Sequence, residues 1–310
     1  MDYVLPYVDS SDPVWRANYR RVNNTVTMEE ARFRSFGTLR YAFRSVAKNM
    51  PFIDRIVLIV ASESQVPAWV NLEKVRIVLH DEFMPAEHLP TFSSSAIESD
   101  MWRIEGLSER FIYGNDDFFC LAPMTEEDFF DGDLPRLRFK TDPFRFGGIF
   151  ACSCRNGMDM AADAAGVLHT DFRILIRPQH CMKGILLRHM KEVGKRCGPR
   201  IDETVTVRRH QWNVTGYMYH YYAFYLGEYA DFDAEFIYTK DYSEVPEILK
   251  NPPQQLCIND GGDIDDYEAT CEKLEEAFSR VLSERCIYEL PDWARKAADA
   301  RIQWIKQRVI

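Results

Sequence analysis

The chain has 310 residues and a formal net charge of −10, with hydrophobic residues at 46% and aromatic residues at 13%. That much apolar side chain builds a sizeable core and excludes wholesale disorder. The acidic balance excludes general binding to nucleic acid, which draws its affinity from basic groups displacing counterions at phosphates. The N-terminal MDYVLPYVDSSDP has no basic segment leading into a long apolar run, and no apolar stretch of about 18 residues occurs, so a soluble, cytoplasmic protein is expected. The eight cysteines are irregularly spaced, and the C-x-C at Cys152 and Cys154 has no second pair, which predicts free thiols and no zinc centre.

In chain order, residues 3–8 (YVLPYV) end at DSSDP, the pattern of a buried strand stopping at a polar turn, with Asp9 and Asp12 past its carboxyl end. Residues 33–49 repeat apolar positions at helical spacing as far as Pro51, predicting a helix that carries Arg34, Arg40 and Arg44. The β-branched runs at 55–61 (RIVLIVA) and 74–79 (KVRIVL) are the next strands. Strand, helix, strand is a parallel crossover unit, so the predicted fold class is α/β. Residues 111–113 form a further strand, which leaves Asn115, Asp116 and Asp117 at the edge where open α/β sheets bind ligands. From 126 to 200 the pattern is less regular and ends in a helical stretch, HCMKGILLRHMKEVGK. Residues 212–226 predict an aromatic helix, and 265–284 and 292–309 predict two amphipathic helices.

Several constellations carry chemistry, each beside a plainer reading. Asn115, Asp116 and Asp117 form a hard-oxygen cluster suited to Mg²⁺ or Mn²⁺; the same residues also cap ordinary turns. Arg32, Arg34, Arg40 and Arg44 give a cationic helix that either grips a diphosphate through bidentate bonds or is a solvated face. TFSSSAIES, with Ser94 and Ser95, offers donors to a sugar or phosphate, or simply caps a helix. Arg209 and His210 join a proton acceptor to a cation, whereas a lone histidine such as His180 is more often structural. Asn259 and Asp260 in LCINDGGD follow an apolar run, as the NDD does, or belong to a Gly-rich turn.

The string LPTFSSSAIES…RIEGLSERFIYGNDDFF, residues 89–119, closely resembles the second signature block of the Stealth family of sugar-1-phosphate transferases. That family includes bacterial capsular polysaccharide polymerases and the catalytic part of the animal N-acetylglucosamine-1-phosphotransferase. VLPYVDSSDPVW resembles its first block, residues 180–226 its third, and LCINDGGD its fourth. Ser10, Ser35 and Gly114 depart from the family pattern, Gly114 standing where a larger apolar residue is usual.

The resemblance implies a Rossmann-like nucleotide-sugar transferase fold with a mostly parallel central sheet, a helical insert and C-terminal helices. It implies a single catalytic unit, with a nucleotide-sugar-binding core over 1–125, an acceptor-side region over 126–250, and the fourth block with closing helices over 251–310. The implied reaction moves a sugar 1-phosphate from a UDP-linked donor to a hydroxyl of a glycan or polysaccharide acceptor, with Mg²⁺ or Mn²⁺ and release of nucleoside monophosphate. The implied setting is capsule or surface polysaccharide synthesis at the inner face of the membrane, beside an export machinery. By position, Asp9, Arg34 and Arg40 would face the nucleotide, Asn115, Asp116 and Asp117 the metal and diphosphate, and His210 the acceptor hydroxyl as base. His180, Asn259 and Asp260 match their blocks. A metal-dependent glycosyltransferase that releases nucleoside diphosphate would use the same acids, and a catalytically silent binding protein is a third reading.

Overall fold

The computed structural model describes residues 1–23, 28–262 and 264–291, with 294, 303 and 307. The chain gathers into two compact units. Unit one takes in Met1–Asp2, His80–Tyr113 and Glu126–Asp233; unit two takes in Tyr3–Leu79, Gly114–Thr125 and the described residues from Ala234 onward.

The chain passes back and forth between them. It begins with β1 (Asp2–Pro6), α1 (Pro13–Val22), α2 (Leu39–Asn49), β2 (Arg55–Val60) and β3 (Val75–Leu79). Unit one then receives α3 (His80–Phe83), α4 (Ser94–Asp100) and β4 (Arg110–Tyr113), and β5 (Phe118–Cys120) returns to unit two. Next in unit one come β6 (Phe130–Asp131), β7 (Leu134–Leu137), β8 (Phe139–Pro143), α5 (Ile149–Ala165), β9 (Ile174–Pro178), β10 (Lys183–Leu186), α6 (Leu187–Thr204), α7 (Met218–Leu226) and β11 (Ala230–Asp231). The last elements, in unit two, are β12 (Phe236–Thr239), α8 (Val245–Ile248), β13 (Gln255–Ile258) and α9 (Tyr267–Val281).

The fold is α/β and Rossmann-like. In unit two β1 lies beside β2, and β2 runs parallel to β3 with Ile56 opposite Val75. Asp12 starts α1 by accepting from the backbone of Val14 (3.4 Å) and Trp15 (3.2 Å), and it also takes bonds from Ser64 and Gln65. That acid is a cap, not a ligand group. A second ladder pairs β12 parallel to β13 and β13 antiparallel to β5. It packs Phe119, Leu256 and Ile258 against Tyr41 and Ala42 of α2 and Leu274 and Phe278 of α9. In unit one β4 pairs antiparallel with β10, β8 with β9, and α5, α6 and α7 pack on one another.

Three predicted elements change. The helix expected over 33–49 begins only at Leu39, because the chain turns at Gly37 with a φ of 74°. Arg32 therefore ends a short 3₁₀ turn and Arg34 lies in a loop, so the four arginines do not share a helix. The stretch expected to be helical from His180 is first a strand: Lys183–Leu186 bonds to β4, and the ladder overrides local helix propensity until α6. The aromatic helix expected over 212–226 starts at Met218, after a turn through Gly216. Of the two closing helices, α9 is present, and 292–309 falls largely outside the described residues. All eight cysteines are free, and among the described residues no helix is long and apolar enough to cross a membrane.

Arg44 is a buried clamp of unit two. Its guanidinium donates to both carboxylate oxygens of Glu289 (2.6 and 3.0 Å) and to the carbonyl of Leu282 (2.9 Å). Removing Arg44 leaves the buried Glu289 carboxylate with the more distant Arg40 Nε at 3.5 Å and the Cys286 N–H at 3.3 Å. Arg44→Ala is expected to lower stability by about 3–5 kcal/mol in urea unfolding.

Buried histidines set an acid limit on unit one. Burial holds His80 down to about 4 and His220 well below its ordinary value. Below about pH 6.5 the unfolded chain takes up protons that these folded imidazoles refuse, so stability is full above that pH and is lost as pH falls. Each histidine contributes a slope of up to about 1.4 kcal/mol per pH unit until the folded group itself titrates. His220→Phe is expected to flatten the acid side of the stability profile from pH 7.5 to 5; an unchanged slope would show that another group sets it.

Candidate functional site

In unit two the predicted acids gather around the turn that precedes β5. The Asp117 carbonyl accepts from Ile258 (3.0 Å), which fixes the turn to β13, and its Oδ2 accepts from the Cys257 thiol at 3.5 Å. The Asn259 side chain reaches the same carboxylate. Loss of water raises both Asp116 and Asp117 above the ordinary carboxylate range, and the charge of Asp116 raises Asp117 further. Oδ1 of Asp117 is buried with no hydrogen-bond partner among the described residues. A chain leaves such an oxygen desolvated at a cost. Two adjacent carboxylates, one with an unused oxygen, fit a small hard cation such as Mg²⁺ or Mn²⁺.

The rest of the unit two cluster is drawn in by the loop before α2 and the end of β13. Arg34 makes a bidentate pair with Asp260, its Nη2 lying 2.7 Å from Oδ1, and its guanidinium lies over the rings of Phe36 (5.5 Å) and Tyr267 (5.9 Å). The Gly262 backbone N–H donates to the same Oδ1 at 2.8 Å. Gln65 grips the Asp9 backbone at both N–H (2.8 Å) and carbonyl (3.0 Å). Burial pushes the phenol of Tyr7 far up, and Asp9 and Asp116 both add to it, so those two acids share its surroundings. Asp9, Arg34, Asp116, Asp117, Asn259 and Asp260 thus belong to one neighbourhood, joined through the chain by Asn115. Arg40 does not join them: it lies 5.4 Å over the Trp69 ring and 3.5 Å from the Glu289 carboxylate.

Gly114 has a structural reason here. A Cβ at that position would lie 2.0 Å from the hydroxyl of Tyr3, a fully buried ring whose oxygen has no partner among the described residues. The buried tyrosine takes up the space that any side chain at 114 would need.

Unit one holds a second cluster. Ser93 caps α4, so Ser94 and Ser95 stand in its first turn and not in an open loop; Ser95 is buried. The Ser94 hydroxyl accepts from Arg209 Nε at 3.0 Å and from its Nη2. Four residues on, Glu98 accepts from the Tyr113 hydroxyl (3.1 Å) and the Gly216 N–H (3.1 Å). Only glycine allows that approach, since a Cβ at 216 would meet the Glu98 carboxylate at 2.9 Å. Burial raises the Glu98 carboxyl, and Arg209 and Lys183 oppose that rise. His180 Nδ1 lies 3.0 Å from the Tyr217 hydroxyl. Lys183, itself buried, donates to the carbonyls of Gln179 (2.6 Å) and Cys181 (2.9 Å) and lies 5.0 Å over the Tyr217 ring. Burial first, then Lys183 and Arg209, hold His180 down to about 3, so its imidazole is neutral.

His210 is placed differently. Its Nδ1 accepts from the Trp212 N–H at 3.3 Å, and its ring packs on the Trp212 ring with centroids 4.6 Å apart.

Sequence reasoning missed Glu98, Lys183 and Tyr217. Glu98 had a signal, since it stands four residues after Ser94 on the same helix face. Lys183 was hidden by the helical reading of its strand.

The acidic turn with its held arginine in unit two, and the cluster of imidazole, guanidinium and carboxyl groups in unit one, are the groups of this α/β chain that carry chemistry. Residues 32–136 match the model of Stealth protein CR2, conserved region 2. The chain is 27% identical to the receptor polysaccharide phosphotransferase WefC of Streptococcus oralis, over 94% of this chain and 99% of that protein. It is 30% identical to the capsular polysaccharide phosphotransferase SacB of Neisseria meningitidis serogroup A, over 85% of this chain and 52% of that protein, so it spans about half the length of the neisserial relative. Among solved structures, galactosyltransferase LgtC in complex with donor and acceptor sugar analogs aligns over 96% of this chain and 99% of that one, at 15% identity and a TM-score of 0.43.

Proposed function

We propose that this enzyme transfers a sugar 1-phosphate from a nucleoside-diphosphate sugar, UDP-linked, to a hydroxyl of a glycan acceptor in capsule or surface polysaccharide synthesis. Its place is the cytoplasm, on the inner side of the membrane. The observation that carries the reading is the acidic turn, with its unused Asp117 oxygen beside Asp116, Asn259 and the Arg34–Asp260 pair.

Asp116 and Asp117 would hold the divalent ion, which when bound neutralises charge on the diphosphate oxygens. Arg34, held in place by Asp260, offers its guanidinium to the same diphosphate, and the Asp9 turn borders the nucleotide. His210 takes the proton of the acceptor hydroxyl. The acceptor oxygen bonds to the phosphorus nearest the sugar, the bridging P–O bond breaks, and nucleoside monophosphate leaves. Positioning and electrostatics provide most of such catalysis.

The test is incubation with a panel of nucleotide sugars and oligosaccharides in Mg²⁺ or Mn²⁺, with nucleotide products resolved. Monophosphate is expected. Diphosphate would replace the reading with an ordinary glycosyltransferase, and no consumption of any donor would favour a binding protein.

A further inference from the structure

We infer that unit one carries a membrane-docking tip, formed by Phe146, Ile149, Phe150 and Phe172 with the cations Lys140 and Arg145, that seats on an anionic phospholipid surface. It gives the placement on the inner side of the membrane a surface, and it does not depend on the transfer chemistry.

The tip is built by the two-stranded ladder of β8 and β9 and by the start of α5. Just past the last ladder pair, Pro143 and Ile174, the Phe144 N–H donates to the Arg173 carbonyl at 2.8 Å, so Phe146 and Phe172 leave the ladder at the same end. Gly147, with a φ of 122°, then turns the chain toward α5, whose first two residues are Ile149 and Phe150. Arg155, in the second turn of that helix, donates to the carbonyls of Thr170 (2.9 Å) and Asp171 (3.1 Å) and holds the segment before Phe172 against it. Four large apolar side chains thus gather at one end of the ladder. All are exposed: Phe146 at 78%, Phe172 at 73%, Phe150 at 49% and Ile149 at 40%. A core would bury them, and exposed side chains of this size grouped together mark an interaction surface.

Charge decides the occupant. Of the four cations on the ladder and at its end, Arg177 pairs with Asp142 and Arg173 with Asp171. Lys140 and Arg145 are exposed, and their side chains make no hydrogen bond or ion pair among the described residues. The tip therefore keeps positive charge in a chain whose formal net charge is −10. A second copy of the chain would set these cations against their own counterparts, and a neutral glycan has no use for them. An anionic bilayer takes apolar side chains at its acyl boundary and cations among its phosphates, which is the pairing the tip offers.

The experiment is co-sedimentation of the whole protein, without donor or metal, with vesicles of phosphatidylcholine alone and of phosphatidylcholine mixed with phosphatidylglycerol, in low and in high salt. The expected result is partition onto the mixed vesicles that falls as salt rises. It is weakened about tenfold or more by Phe146→Ser with Phe172→Ser, and likewise by Lys140→Glu with Arg145→Glu, at unchanged melting temperatures because all four side chains are exposed. No binding to the mixed vesicles, or binding that either pair of substitutions leaves unchanged, overturns the tip. So does a dimer, seen by sedimentation velocity, that Phe146→Ser with Phe172→Ser dissociates while vesicles go unbound; the face is then a contact between copies. Vesicle binding lost in both paired variants leaves the tip standing even where no donor releases monophosphate, and monophosphate release without vesicle binding leaves only the transfer reading.

Discussion

Asp117→Asn is expected to lower turnover by about 10²–10³-fold while leaving the protein folded. The amide keeps the shape of the side chain and removes the charge that a divalent ion and a diphosphate require. Because the native carboxylate sits beside Asp116 with its water stripped away, the neutral variant also escapes like-charge repulsion. Its melting temperature should hold or rise, and Mn²⁺ titration should show weaker binding. Near-normal turnover with unchanged Mn²⁺ affinity would remove the acidic turn from the mechanism. A large loss of stability would make it a structural turn.

His210→Ala should cost about 10²–10⁴-fold in turnover, the range for a lost general base, with a smaller loss for His180→Ala. Burial first, then Lys183 and Arg209, hold the His180 imidazole down to about 3, which makes it a weak proton acceptor beside the Tyr217 hydroxyl. The comparison is made at saturating donor and acceptor by monophosphate release. The reverse ordering would give the base role to His180.

Much of the site was legible because its signals are local. The run FIY before NDD reads as a strand ending in polar groups and is one, and the apolar run LCI before Asn259 and Asp260 is a strand as well. The same holds for the β-branched run of β2 and the apolar run of β1. Other features needed the folded chain. Arg34 and Asp260 are 226 residues apart, and no spacing rule pairs them. Arg40, six residues from Arg34, looks equivalent in sequence yet turns to Trp69 and Glu289, because a glycine turn separates the loop from the helix. Glu98 acquires its meaning from Gly216, which lies 118 residues away.

The sequence by itself determined the α/β class, the strand ends that bear acids and the free thiols. Each of these follows from residues interacting with near neighbours along the chain, through side-chain periodicity of two or 3.6 residues and through turn chemistry. Only the tertiary structure decided which arginine meets which acid, which histidine loses its water, and why glycine stands at 114. Those outcomes depend on how distant segments share space and exclude water, and a charge or a ring changes its role with the partner that packing brings to it.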